Sequence, residues 1–158
     1  MILMGIDPGS RKCGYGVLHI ERYKIIAAGS GIISVKTSLT SDDKLLYLAD
    51  ELKKIINEYK PDCAAVENIF YSKNIQTAFT LGHFRGVIIY CLRSSGVPVY
   101  SYSPKEIKQS VTGRGDATKE QVAFTIQSML KLKNPAKEDA ADGLACAMCL
   151  FNKKKYER

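Results

Sequence analysis

The sequence predicts an α/β protein: a mixed five-stranded sheet flanked by helices, in the order βββαβαβααα. Three observations carry this. The runs MILMGID and CAAVE are uncharged until their last residue, as expected of strands covered on both faces. Elsewhere the period turns helical, with Leu45, Leu48, Leu52, Ile55 and Ile56 on one face. Strands separated only by turn and charged residues come first, and strands alternating with helices follow, so hairpins precede crossovers.

Residues 2–7, 14–20 and 24–34 read as three consecutive strands. A helix follows over 41–59, capped by Thr40 with Asp43 or by Ser41, and Pro61 ends it. CAAVE, 63–67, is the fourth strand; after the loop NIFYSKN an apolar helix covers 75–94, and VPVYSY supplies the fifth strand. Ser103, Pro104 and Glu106 form a helix start: a capping hydroxyl, a proline in the first turn and an acid three residues after the cap. VTGRGD is a glycine-bearing loop before a helix at 118–131. Asn134 and Pro135 open the last helix, with Glu138, Asp139 and Asp142 in its first two turns. With no repeat, low-complexity segment or linker, residues 1–152 read as one domain and KKKYER, 153–158, as a basic C-terminal tail.

The 158 residues are 46% apolar and 25% charged, the balance of an ordinary globular protein. The start has neither the charge pattern nor the cleavage site of a secretory signal, and no apolar run is long enough to span a bilayer. A soluble, cytoplasmic chain with no membrane partner is expected. Five cysteines are scattered among apolar neighbours; Cys146 and Cys149 form a CxxC, but within LACAMCLF helical spacing makes them small core side chains. His19 and His83 stand alone, without a ligand set. The net charge of +7 favours a polyanionic partner, nucleic acid first and membrane surface second.

Asp7 and Glu67 hold equivalent places, each ending a short apolar strand before a loop. If those strands are parallel neighbours, both carboxylates emerge at the sheet edge where ligands of open α/β sheets bind, and they repel unless a cation sits between them. Asp139 and Asp142, three apart, share a face of the last helix, and the apolar residues after them pin that helix to the sheet. Four carboxylates without a histidine trio suit hard cations such as Mg²⁺ or Mn²⁺. Each acid also has a local account. Asp139 and Glu138 suit a helix start, Asp7 before Pro8 and Gly9 suits a turn, and Glu67 suits a cap. An acidic two-cation pocket on a basic chain points to metal-assisted phosphodiester hydrolysis, with lysines and arginines holding the backbone that the acids repel.

GIDPGSRKCGYGV, AAVENIFYSKN and KEDAADGLACA, with TLGHFRGV and PKEIKQSVTGRGDATKEQV between them, resemble in order and spacing the signature blocks of the RuvC family of crossover (Holliday) junction endodeoxyribonucleases. The likeness covers nearly the whole chain. It implies a ribonuclease H-like fold and a homodimer. It also implies Mg²⁺-dependent, paired nicking of four-way junction DNA in recombination and repair, two ions per site with Mn²⁺ able to substitute. Expected products carry 5′-phosphate and 3′-hydroxyl ends, and RuvA and RuvB are the implied branch-migration partners. The family's catalytic and metal-binding acids fall on Asp7, Glu67, Asp139 and Asp142; some relatives carry histidine at the third position.

Of the implied DNA contacts, Phe70 matches an aromatic that stacks on a base near the crossover, and Lys108 and Lys119 match basic residues near the active site. Arg114 is added from charge and position, and Lys73 and Arg85 are weaker additions. Each has a plainer account as a core ring or a surface cation. The 75–94 helix, apolar on most sides, either meets its twin across a two-fold axis or is buried within one chain. One rival reading is a sugar-kinase or actin type nucleotide-binding domain, whose phosphate loop also follows a first strand; it needs two domains. Another is a junction-binding protein without cutting activity.

Overall fold

The computed structural model describes residues 1–69, 74–132, 134 and 136–156. Its elements keep the predicted order: β1 (Ile2–Asp7), β2 (Lys12–Glu21), β3 (Lys24–Ser34), α1 (Ser41–Tyr59), β4 (Cys63–Glu67), α2 (Ile75–Ser94), β5 (Val99–Tyr102), α3 (Pro104–Thr112), α4 (Lys119–Leu130) and α5 (Glu138–Tyr156). The strands form one sheet in the order β3-β2-β1-β4-β5. The β1–β2 and β2–β3 pairs are antiparallel, while β1–β4 and β4–β5 are parallel.

Capping chemistry fixes the helix starts. Thr40 caps α1 by accepting from the Asp43 amide at 3.2 Å. Ser103 and Glu106 close a reciprocal box at α3, and Thr118 does the same with Gln121 at α4. β2 begins two residues earlier than expected, so the turn after Asp7 is only residues 8–11. α5 begins at Glu138, later than Asn134-Pro135 suggested, and continues to Tyr156, so the basic end starts inside the helix. There Lys154 lies over the Tyr100 ring and donates to its hydroxyl at 3.0 Å.

Strand alternation sends side chains into two cores. Met4, Ile6, Val17, Ala64 and Val66 meet Leu48 and Leu52 of α1 and Phe84 and Ile88 of α2. Leu3, Leu18, Cys63 and Ala65 face the other way, toward Ile107, Val122, Leu144 and Met148 of α3, α4 and α5. Leu144 and Met148 are completely enclosed; burying each contributes roughly 1.5–3 kcal/mol. All five cysteines are free and buried, as core packing predicts.

On that second face β1 and β2 lack side chains at Gly5, Gly14 and Gly16. A Cβ added to Gly5 would run into the backbone of Gly143 and Ala147, and one on Gly14 into the carbonyl of Asp139. One on Gly16 would meet Leu144, and one on Gly143 would meet Tyr15. α5 therefore lies against β1 and β2 backbone to backbone. α2 is different: Phe84, Ile88, Cys91 and Leu92 are buried, while Ile75, Phe79 and Tyr90 remain 69%, 66% and 66% exposed. The helix is thus covered on one side only, which removes the reading of a helix buried within one chain. Among the described residues, no helix is long and apolar enough to cross a membrane.

Candidate active site

The positions of the acids follow from strand parity. Leu3 points to the α5 side of β1, so Gly5 and Asp7 follow it there; Cys63 and Ala65 set the same direction for Glu67 on β4. The parallel register places Ile6 beside Val66, which leaves Asp7 and Glu67 at adjacent strand tips. Gly14 and Gly16 admit the start of α5 to the same edge. Asp7, Glu67 and Asp142 then line one cavity of about 220 Å³, together with Lys108 and Ile107 of α3 and Lys119 and Val122 of α4.

The electrostatics are those of crowded acids in a poorly hydrated place. Burial, reinforced by the charge of Asp142, pushes Asp7 up to about 7, with Lys119 opposing and Asp139 adding. Glu67 is pushed up to about 8, by burial first and then by Asp7 and Asp142. Asp142 is also raised: burial and the charges of Glu138 and Asp139 outweigh the hydrogen bond it accepts from Lys119. Lys119 donates to Asp142 Oδ2 at 3.1 Å and stands 3.4 Å from Glu138 Oε1. Burial works against its ammonium, yet these two acids hold its pKa above the ordinary lysine range.

The donor chemistry fits a hard divalent cation. Three carboxylates face one cavity, and two of them resist ionising together, a conflict that a cation between them removes. Among the described residues, however, no group of three or more His, Cys, Asp or Glu side chains is already drawn together tightly enough to hold an ion. Asp139 stands apart from the cavity wall, 3.8 Å from Lys12 Nζ and with its side chain 31% exposed.

The remaining expected contacts divide. Phe70 and Lys73 lie outside the described residues. Arg114 is spent locally, making a two-pronged pair with Asp116 at 3.1 and 3.0 Å on the α3–α4 loop. Arg85 is turned inward. Its guanidinium donates to the Glu67 carbonyl at 3.2 Å, to Asn68 Oδ1 at 2.8 Å and to Ser101 Oγ at 2.7 Å, so it ties the β4 tip to α2 and β5 instead of facing solvent as a DNA contact would. Nothing in the linear sequence distinguishes Lys12, and Glu138 reads there only as a helix-start charge. Lysine–acid pairs between β2 or α4 and α5 leave no mark in linear spacing.

Comparison with known proteins agrees with this geometry. The sequence profile of the family described as crossover junction endodeoxyribonuclease RuvC matches residues 3–150. The chain is 42% identical over 153 residues to the crossover junction endodeoxyribonuclease RuvC of Ruminiclostridium cellulolyticum, covering 96% of this chain and 92% of that one. It is 44% identical over 148 residues to that of Sorangium cellulosum, covering 94% and 83%. Among solved structures, Thermus thermophilus RuvC superposes with a TM-score of 0.86 at 28% identity, and the same protein in complex with a Holliday junction substrate with 0.88 at 27%. Each match covers 98% of this chain and 96% of the other. With a mixed five-stranded sheet, carboxylates at two adjacent strand tips and a matching profile over nearly its whole length, the chain belongs to the RuvC family of crossover junction endodeoxyribonucleases.

Proposed function

We propose that this protein is a structure-specific DNA endonuclease that resolves four-way (Holliday) junctions during recombination and repair. It nicks two strands in a paired, symmetric, Mg²⁺-dependent reaction that leaves 5′-phosphate and 3′-hydroxyl ends. The observation that carries this reading is the single cavity in which Asp7, Glu67 and Asp142 face Lys108 and Lys119. Divalent ions held there would supply an activated water and charge stabilisation for the departing 3′ oxygen. Asp7, Glu67 and Asp142 would hold them, with Asp139 completing the set once its side chain leaves Lys12. Lys108 and Lys119 would hold the scissile phosphate at the cavity mouth against the repulsion of the acids. In the loop after Glu67, Phe70 would stack on a base and Lys73 would follow the backbone, while Arg114 would reach DNA by giving up Asp116.

Two symmetry-related cuts need two sites, and the exposed apolar side of α2 is the surface we assign to a homodimer. The family resemblance supports RuvA and RuvB as partners and the cytoplasm as the setting. Incubation with an immobile four-way junction and a matched linear duplex, with and without Mg²⁺, tests the function. Symmetric nicks are expected in the junction only, and only with metal; Asp7→Asn should bind the junction without cutting it. Equal cutting of the duplex, or full activity of Asp7→Asn, would overturn the proposal.

A further inference from the structure

The three acids in the first two turns of α5 are paired with two lysines from neighbouring elements. Lys119, the first residue of α4, places Nζ 3.1 Å from Asp142 Oδ2 and 3.4 Å from Glu138 Oε1. One turn earlier, Lys12 at the start of β2 places Nζ 3.8 Å from Asp139 Oδ2. Lys119 lines the same cavity as Asp7, Glu67 and Asp142, so its charge stands beside the carboxylates that would take up a cation.

We propose that Lys119, seconded by the weaker Lys12, is a displaceable counter-ion: it holds Asp142 until a divalent cation enters the cavity, and then lets go. The inference rests on the cation reading of the acids given above. A dication binds a carboxylate oxygen at about 2.0–2.1 Å when it is Mg²⁺, and an ammonium hydrogen-bonded to that same oxygen is then held against a double positive charge. The pair is suited to exchange because its lysine end is open to solvent, 59% exposed against 18% for Asp142, so the ammonium can leave for water. Several carboxylates acting together on one dication outcompete it. The released ammonium stays tethered to the first turn of α4, beside the mouth through which a backbone phosphate would approach. The same side chain thus neutralises the acids before metal arrives and becomes free for DNA once it has. The Lys12 pair is longer, with the side chains 61% and 31% exposed, and should respond in the same direction but less.

Lysine labelling reads the release directly. The intact protein is treated with limiting acetic anhydride across a Mg²⁺ titration and its peptides are quantified by mass spectrometry, without DNA. Lys54, which is paired with Glu51 at 2.6 Å on α1, serves as the reference. Labelling of Lys119 should rise about two- to fivefold at saturation, the scale of an exposed ion pair, with a smaller rise at Lys12 and none at Lys54. Calorimetric titration of Mg²⁺ runs alongside, where Lys119→Gln should tighten binding by a similar factor. Unchanged Lys119 labelling at a Mg²⁺ concentration that calorimetry shows to be saturating, or weaker binding by Lys119→Gln, overturns the counter-ion and leaves the cation site standing. No Mg²⁺ uptake by the wild-type protein overturns both.

Discussion

Gly14 of β2 lies directly against the main-chain carbonyl of Asp139 on α5, so closely that a Cβ on Gly14 would overlap it. The absence of one side chain on the sheet therefore sets where the first turn of α5, with Asp139, stands. Gly14→Ala should push the start of α5 away from the strand tips, costing about 1–3 kcal/mol in stability, visible as a lowered thermal midpoint. Junction cleavage should fall even at temperatures where the variant is folded. Unchanged stability and activity would show that α5 can shift without consequence.

The crowding of Asp7 and Glu67 gives stability a pH dependence of definite sign. Both carboxyls bind protons more tightly in the folded protein than in the unfolded chain, at about 7 and 8 against ordinary values of 3.8 and 4.5. The folded state then carries the extra protons between roughly pH 4 and 8, so the metal-free protein loses stability as pH rises through that window. Asp7→Asn removes one of the two charges and should stabilise the metal-free protein at pH 8 by roughly 2–4 kcal/mol, with little effect at pH 4. Denaturant melts at the two pH values measure this; an equal effect at both would contradict it.

Arg85 is tied to the backbone of Glu67: its guanidinium is engaged by the Glu67 carbonyl, Asn68 and Ser101. Lysine keeps the charge but loses the planar fork that reaches three acceptors. Arg85→Lys should therefore lower kcat about tenfold, equivalent to about 1.4 kcal/mol, and raise the Mg²⁺ concentration needed for half-maximal cutting, while junction affinity measured in EDTA holds. A loss confined to junction affinity would instead mark Arg85 as a DNA contact.

The open side of α2 predicts its own disruption. Phe79 is 66% exposed one turn before Gly82, where an added Cβ would meet nothing within 4 Å. Phe79→Glu places a charge in the middle of the proposed two-fold contact and should shift sedimentation toward the monomer, while the metal-free thermal midpoint of the folded subunit changes little. The paired cuts on a junction should become uncoupled single nicks. A variant that sediments as the wild type does would remove α2 from the interface.

Much of this was legible in the chain because the signals are local. Strand runs that end in Asp7 and Glu67, helical spacing in 41–59 and the Ser103 cap depend on residues within a few positions of one another, and so does the pairing of Asp139 with Asp142 on a helix face. The element order followed from them. The roles of Arg85 and Lys12 were not legible, because an arginine or lysine reads alike whether it reaches solvent, DNA or a partner far along the chain. Arg85 crosses from α2 to the β4 tip, a contact that exists only once those elements pack.

What the sequence by itself determined was the element order, the two strand-tip acids and the two acids of the last helix, since alternation and helical spacing are properties of consecutive residues. Only the tertiary structure decided that Asp7, Glu67 and Asp142 share one cavity while Asp139 stands aside with Lys12, and that Lys119 occupies Asp142. The physical reason is the depth to which α5 settles on Gly5, Gly14 and Gly16. That depth is a matter of backbone approach across the sheet, and no single stretch of sequence contains it.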